Sequence, residues 1–147
     1  MEDAPPPPAT SCCDSTVGCV FAKALLSRTA VCEMSTRRAL GERELVECSS
    51  PVARINCGTL AALLHERARF ALRLPAPAKP LIHMQALRLQ CGGLSALRQV
   101  LDCAEPDVHR MIGATHERYG SLTDLPWASL VSSLAAWQPR RRGRSVK

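Results

Sequence analysis

Along the chain, stretches in which apolar side chains recur every three or four residues alternate with short breaks of proline, glycine or small polar residues. Val20, Phe21, Ala24 and Leu25 have this spacing and predict a short helix over 17–28. Residues 34–47 are rich in helix formers (Arg37, Arg38, Ala39, Leu40, Glu42, Arg43, Glu44, Leu45) and predict a second helix, weakened by Gly41. The plainest element follows. Ser50 suits an N-cap, and Pro51 suits the first helical position because its missing N–H would have had no intrahelical partner. From there Val52, Ile55, Leu60, Leu63, Leu64, Ala68, Ala71 and Leu74 fall largely along one face, while His65, Glu66, Arg69 and Arg73 lie off it. This predicts a helix of about twenty residues, bent near Gly58 and stopped by Pro75, Pro77 and Pro80.

Leu81 to Gln90 predict the next helix, ended by Gly92-Gly93, and Leu94 to Asp102 another. Glu105-Pro106-Asp107 restarts the chain into a helix carrying Val108, Met111, Ile112 and Tyr119, which Gly120 stops. Asp124 and Pro126 repeat the cap-plus-proline start for a last helix with Trp127, Leu130, Val131, Leu134 and Trp137. The expected fold is therefore all-α, a single-domain irregular bundle of five or six helices over 15–138. A disordered leader over 1–14, with Pro5 to Pro8, and a disordered basic tail over 139–147 flank it.

Composition supports the helical reading, because aromatic residues make up only 3% of the chain and strand-favouring side chains are scarce. The net charge of +6 is drawn in part from Arg140, Arg141, Arg142, Arg144 and Lys147. That run is either a solvated tail or a contact surface for nucleic acid or another anion. No apolar run is long enough to span a bilayer, and the N-terminus has neither the positive start nor the apolar stretch of a secretory signal. A cytoplasmic location without membrane contact is the expectation. In a reducing compartment, eight cysteines in a short chain are expected to be ligands, reactive groups or small core hydrophobes before they are disulfide partners.

No two of the eight stand at C-x-x-C spacing, which counts against the common zinc modules and leaves sites assembled from distant parts of the chain. Cys48 precedes the Ser50-Pro51 cap, Cys91 precedes Gly92-Gly93, and Cys32 precedes the predicted helix near Ser35. A sulfur at the positive end of a helix has its thiolate stabilised, which lowers the thiol pKa and favours metal binding. Cys57 falls inside the long helix. The expected metal ligands are Cys32, Cys48, Cys57 and Cys91, with Cys19 and His83 as second choices; Cys103 is expected to be a core residue, and Cys12 and Cys13 belong to the leader. An iron–sulfur cluster is the expected cofactor, with zinc the alternative.

The competing reading takes all these thiols as buried structural groups. His65 and His116, each followed by Glu and close to Arg, have the pattern of solvated helix faces. No phosphate loop, dinucleotide fingerprint or nucleophile elbow is present, so an enzyme is the lesser expectation. The sequence thus points to a metal- or iron–sulfur-binding accessory protein acting in electron transfer, redox sensing or cofactor handling, with another protein as its expected partner. A non-catalytic helical interaction scaffold is the first alternative. A helix-turn-helix-like nucleic-acid module over residues 94–119, helped by the basic tail, is the second.

Overall fold

Ser50 opens the longest uninterrupted α-helix among the described residues as its chemistry dictates, its side chain accepting a hydrogen bond from the Ala53 N–H at 3.2 Å with Pro51 in the first turn. The structure, a computed structural model, describes residues 18–139. The leader with Cys12 and Cys13, and the tail with Arg140, Arg141, Arg142, Arg144 and Lys147, lie outside the described residues. In chain order the elements are α1 (Ala22–Leu26), β1 (Ser35–Leu40), β2 (Arg43–Cys48), α2 (Pro51–Ala68), α3 (His83–Leu87), a π-helical turn (Arg88–Gly92), α4 (Gly93–Leu101), α5 (Val108–Tyr119), a 3-10 turn (Leu122–Asp124) and α6 (Trp127–Ala136). No helix among the described residues is long and apolar enough to cross a membrane.

The fold is not all-α. Residues 35–48, expected to be helical, form an antiparallel hairpin in which Ser35 pairs with Cys48 and Leu40 with Arg43. Gly41 decides the matter, for it occupies the first of two loop positions at φ +66°, a conformation that glycine adopts without strain and that a two-residue hairpin loop requires. Opposite charges then meet across the strands, Arg37 with Glu44 at 3.2 Å and Arg38 with Glu47 at 2.6 Å. The expected bundle count is met only in part: with the continuous rod from His83 to Leu101 taken as one, five helices pack beside the hairpin. The first is also shorter than 17–28, since residues 18–21 are used to lie against β2 and the ordered turn is only Ala22–Leu26.

The core joins α1, α2, α4, α5 and α6 through Phe21, Leu25, Leu60, Leu64, Leu97, Met111, Leu130 and Leu134, all fully buried. On α2 the inward stripe is Ala53, Cys57, Leu60, Leu64 and Ala68. The expected face differs at its start, where Val52 and Ile55 are 70% and 68% exposed, because Ala53 and Cys57 continue the stripe of Leu60 and Leu64 at helical spacing. The helix ends at Ala68 and not at Leu74, with the chain turning through Arg73 at φ +56°. Asp107 caps α5 by accepting from the Arg110 N–H at 3.1 Å, and Gly120 closes it in the left-handed region.

Gly92 and Gly93 do not break the chain into two helices. Both are right-handed, and the rod from α3 to α4 runs through them with one wide turn. Their lack of side chains is used for close approach: a Cβ on Gly93 would lie 2.7 Å from Leu64 Cδ1, and one on Gly92 3.2 Å from the Leu134 carbonyl oxygen. Gly93→Ala is therefore expected to destabilise the protein by about 1–3 kcal/mol through overpacking. Gly113→Ala, on the exposed face of α5 with open space around it, is expected to stabilise by about 0.8–1 kcal/mol. Chemical denaturation of the two variants checks both signs.

Candidate metal centre

Four cysteines reach one small cavity from four separate stretches of chain: Cys19, Cys32, Cys48 and Cys57. Val20, Phe21, Ala53 and Val108 supply an apolar wall, and Ser35, Arg54 and His109 complete it. The enclosed space is about 10 Å³, room for a single water-sized atom. All four are unpaired thiols, as are Cys91 and Cys103.

The hairpin assembles this site. Cys19 is held when its backbone N–H donates to the Val46 carbonyl at 3.0 Å, next to a bridge between Gly18 and Glu47 that lays the N-terminal segment along β2. Cys32 follows Val31, which is tied to the start of α5 by Val31 N–H to the Pro106 carbonyl at 3.0 Å and Val108 N–H to the Val31 carbonyl at 2.8 Å. The Cys32 carbonyl accepts from both the N–H and the hydroxyl of Ser35, at 3.1 and 2.8 Å. Cys48 ends β2 opposite Ser35, and the pairing is prolonged by Ser49 N–H to the Met34 carbonyl at 2.8 Å, so closing the hairpin brings Cys32 and Cys48 together at its base. The Cys48 thiol donates to the Ser50 carbonyl at 3.2 Å. Cys57 comes from the inward stripe of α2, one turn beyond Ala53.

Burial pushes the Cys57 thiol up to about 12, and the neighbouring Cys32, Cys19 and Cys48 add to the rise while Arg54 opposes it. Burial likewise raises Cys19, against a hydrogen bond from the Phe21 backbone, and Cys32, against hydrogen bonds from the Met34 and His109 backbones. For Cys32 the direction is opposite to the lowering expected from a helix end. Cys32 precedes a strand and Cys57 lies within a helix, so removal from water outweighs any dipole at these sulfurs. Thiols so held stay protonated at neutral pH, which makes them poor nucleophiles and poor exchange partners.

A pH dependence follows for the metal-free chain. Below a pH of about 9 the Cys57 thiol is neutral in the folded and unfolded states alike. Above that value the unfolded chain ionises first, so stability is expected to fall as pH climbs towards about 12. Thermal melts of metal-free protein across this range, with Cys57→Ala as the comparison showing a shallower decline, check it.

The remaining expected ligands lie elsewhere. Cys91, fully buried in the π-helical turn, is absent from the cavity wall; its sulfur is 3.4 Å from the Ser27 hydroxyl. It sits inside a continuous rod and not ahead of a helix start, because Gly92-Gly93 does not end the preceding helix. His83 is at the surface, its Nδ1 accepting from Lys23 Nζ at 3.1 Å. Cys103 is half-buried against the core after α4. Within residues 94–119, Arg110 is engaged by Glu33 and Glu105, and Arg118 donates to the Leu101 carbonyl at 3.0 Å.

One charged wall residue, Arg54, was not among the expected site residues. Arg54 was detectable in principle, since it precedes Cys57 by three positions on one helix and so shares its face. His109, one of four histidines that by residue type could supply a nitrogen ligand, is brought in by the Val31–Val108 pairing. Its Nδ1 lies 2.6 Å from Glu33 Oε2, and hydrogen bonds from His109 and Arg110 hold the Glu33 carboxyl below the usual carboxylate range. The four cysteines share a wall, yet among the described residues no three His, Cys, Asp or Glu side chains are placed to hold one metal ion together. No family model, curated protein or solved structure matches this chain.

Proposed function

We propose that this protein binds an iron–sulfur cluster through the thiolates of Cys19, Cys32, Cys48 and Cys57 and serves as a small metal-dependent accessory protein. One observation carries the reading: four of the six described cysteines line a single small pocket, although they arise from four different segments and span C-x12-C-x15-C-x8-C in sequence. A reactive or switching role is less well supported, because burial keeps three of the four thiols protonated.

Zinc is the alternative occupant. A zinc site would draw its sulfurs to about 2.3 Å from one ion. A four-iron cluster gives each thiolate its own iron and so asks for a wider spread. The present space admits one water-sized atom, so loading requires the side chains to turn outward and the wall to yield. The segment at Cys19 is tied to β2 through the bridge at Gly18 and the bond to Val46, and to α2 through the Arg54 bond to the Gly18 carbonyl.

The test is anaerobic purification and reconstitution with iron and sulfide, followed by visible absorption and assays of iron, acid-labile sulfide and zinc. A brown protein with matched iron and sulfide supports the reading. Zinc without sulfide would replace the cluster by a single ion, and protein that stays colourless and metal-free would return these cysteines to a structural role in a helical scaffold.

A further inference from the structure

Arg54 brings a permanent positive charge to the wall of the cysteine cavity, and among the described residues no carboxylate lines that wall. It is the fourth residue of α2, its N–H bonded to the Ser50 carbonyl at 3.0 Å, and Cys57 lies three residues further along the same face. The Nε–H donates to the Gly18 carbonyl at 2.8 Å, immediately before Cys19, and this is the side chain's one hydrogen bond among the described residues. The guanidinium is thus anchored by one nitrogen between two of the four cysteines, with its two terminal nitrogens left to donate elsewhere.

Resting on the cluster reading above, we propose that Arg54 is the charge-compensating residue of the thiolate centre, positioned to donate to a thiolate or sulfide and to raise the potential at which the cluster is reduced. A cluster held by four thiolates is anionic, and an apolar enclosure makes unbalanced charge costly. One-electron reduction by an external one-electron donor adds a further negative charge and breaks no bond. A cation beside the cluster favours that more negative state.

The experiment uses the full chain as wild type, Arg54→Lys and Arg54→Gln, each reconstituted anaerobically with iron and sulfide, with iron content and midpoint potential measured on every sample. Arg54→Gln is expected either to hold its cluster with a more negative midpoint or to lose iron, while Arg54→Lys stays near wild type in both measures. A fully loaded Arg54→Gln protein with an unchanged midpoint overturns the proposal. Equal loss of iron from both variants also overturns it, because the side chain would then act through its shape and its bond to Gly18. Wild-type protein that binds no cluster, or binds zinc instead, removes the cluster reading and this inference together, and shows itself in the wild-type sample alone.

Discussion

Alanine at Cys19, Cys32, Cys48 or Cys57, introduced one at a time, is expected to strip most of the iron from the reconstituted protein, whereas alanine at Cys91 or Cys103 leaves the iron content at the wild-type level. The contrast rests on position. The first four line one cavity, Cys91 is enclosed in the π-helical turn beside Ser27, and Cys103 lies past the end of α4. Changes to residues that merely orient metal ligands weaken binding about 10–100-fold, and removal of a ligand is expected to do at least as much. Cys91→Ala serves as the demanding control. Its side chain is fully buried, so the substitution should cost stability, about 0.5–3 kcal/mol, without touching the metal. Iron assays read beside denaturation curves separate the two effects. Equal loss of iron from Cys91→Ala and Cys57→Ala would show that general destabilisation, and not ligation, governs retention.

Loading the centre is expected to slow amide exchange across residues 18–57 by at least about tenfold, equivalent to about 1.4 kcal/mol, while exchange in α4, α5 and α6 stays within about twofold. The reason lies in how little else secures this third of the chain. The sheet has two strands, and Val46 is its one fully buried side chain. A two-stranded sheet is marginal without further support. Its attachments are the backbone bonds at Cys19 and Val31 and the Arg37 and Arg54 bonds to the Leu25 and Gly18 carbonyls, together with the packing of Phe21, Ala24 and Leu25. Four thiolates bound to one cluster would join the N-terminal segment, both ends of the hairpin and α2 into one unit, so binding free energy becomes folding free energy for that unit. The helical rod from His83 and the helices after it supply no ligand and should not respond. Exchange followed by mass spectrometry in loaded and metal-free protein makes the comparison. Uniform protection across all helices would mean that the centre stabilises the whole fold and not this third alone.

Much of the helical frame could be read from local chemistry because caps and stops act within a few residues. Ser50 and Pro51, Asp107 ahead of Val108, and Gly120 in the left-handed region all occupy the places their side chains suit. The hairpin could not be read so easily. Its strands bury one residue out of twelve, so they show no alternation, and Arg37, Arg38, Glu44 and Glu47, which favour a helix locally, act across strands once Gly41 turns the chain. That error moved the site, since Cys32 and Cys48 meet because the hairpin closes. Gly92-Gly93 misled for a different reason. A pair of glycines near a helix end suggests a break, but here they admit Leu64 and α6, a tertiary demand with no local signature. The long-range gathering of Cys19 with Cys57 depends on the pairing of the N-terminal segment with β2, and no spacing rule anticipates it.

Native mass spectrometry of the anaerobically reconstituted full chain addresses the central claim most directly. The account predicts a species heavier than the metal-free chain by the mass of one iron–sulfur core, lighter by the protons of the four ligating thiols, and lost on alanine substitution of Cys19, Cys32, Cys48 or Cys57. A spectrum showing only the bare chain under the same conditions would contradict it.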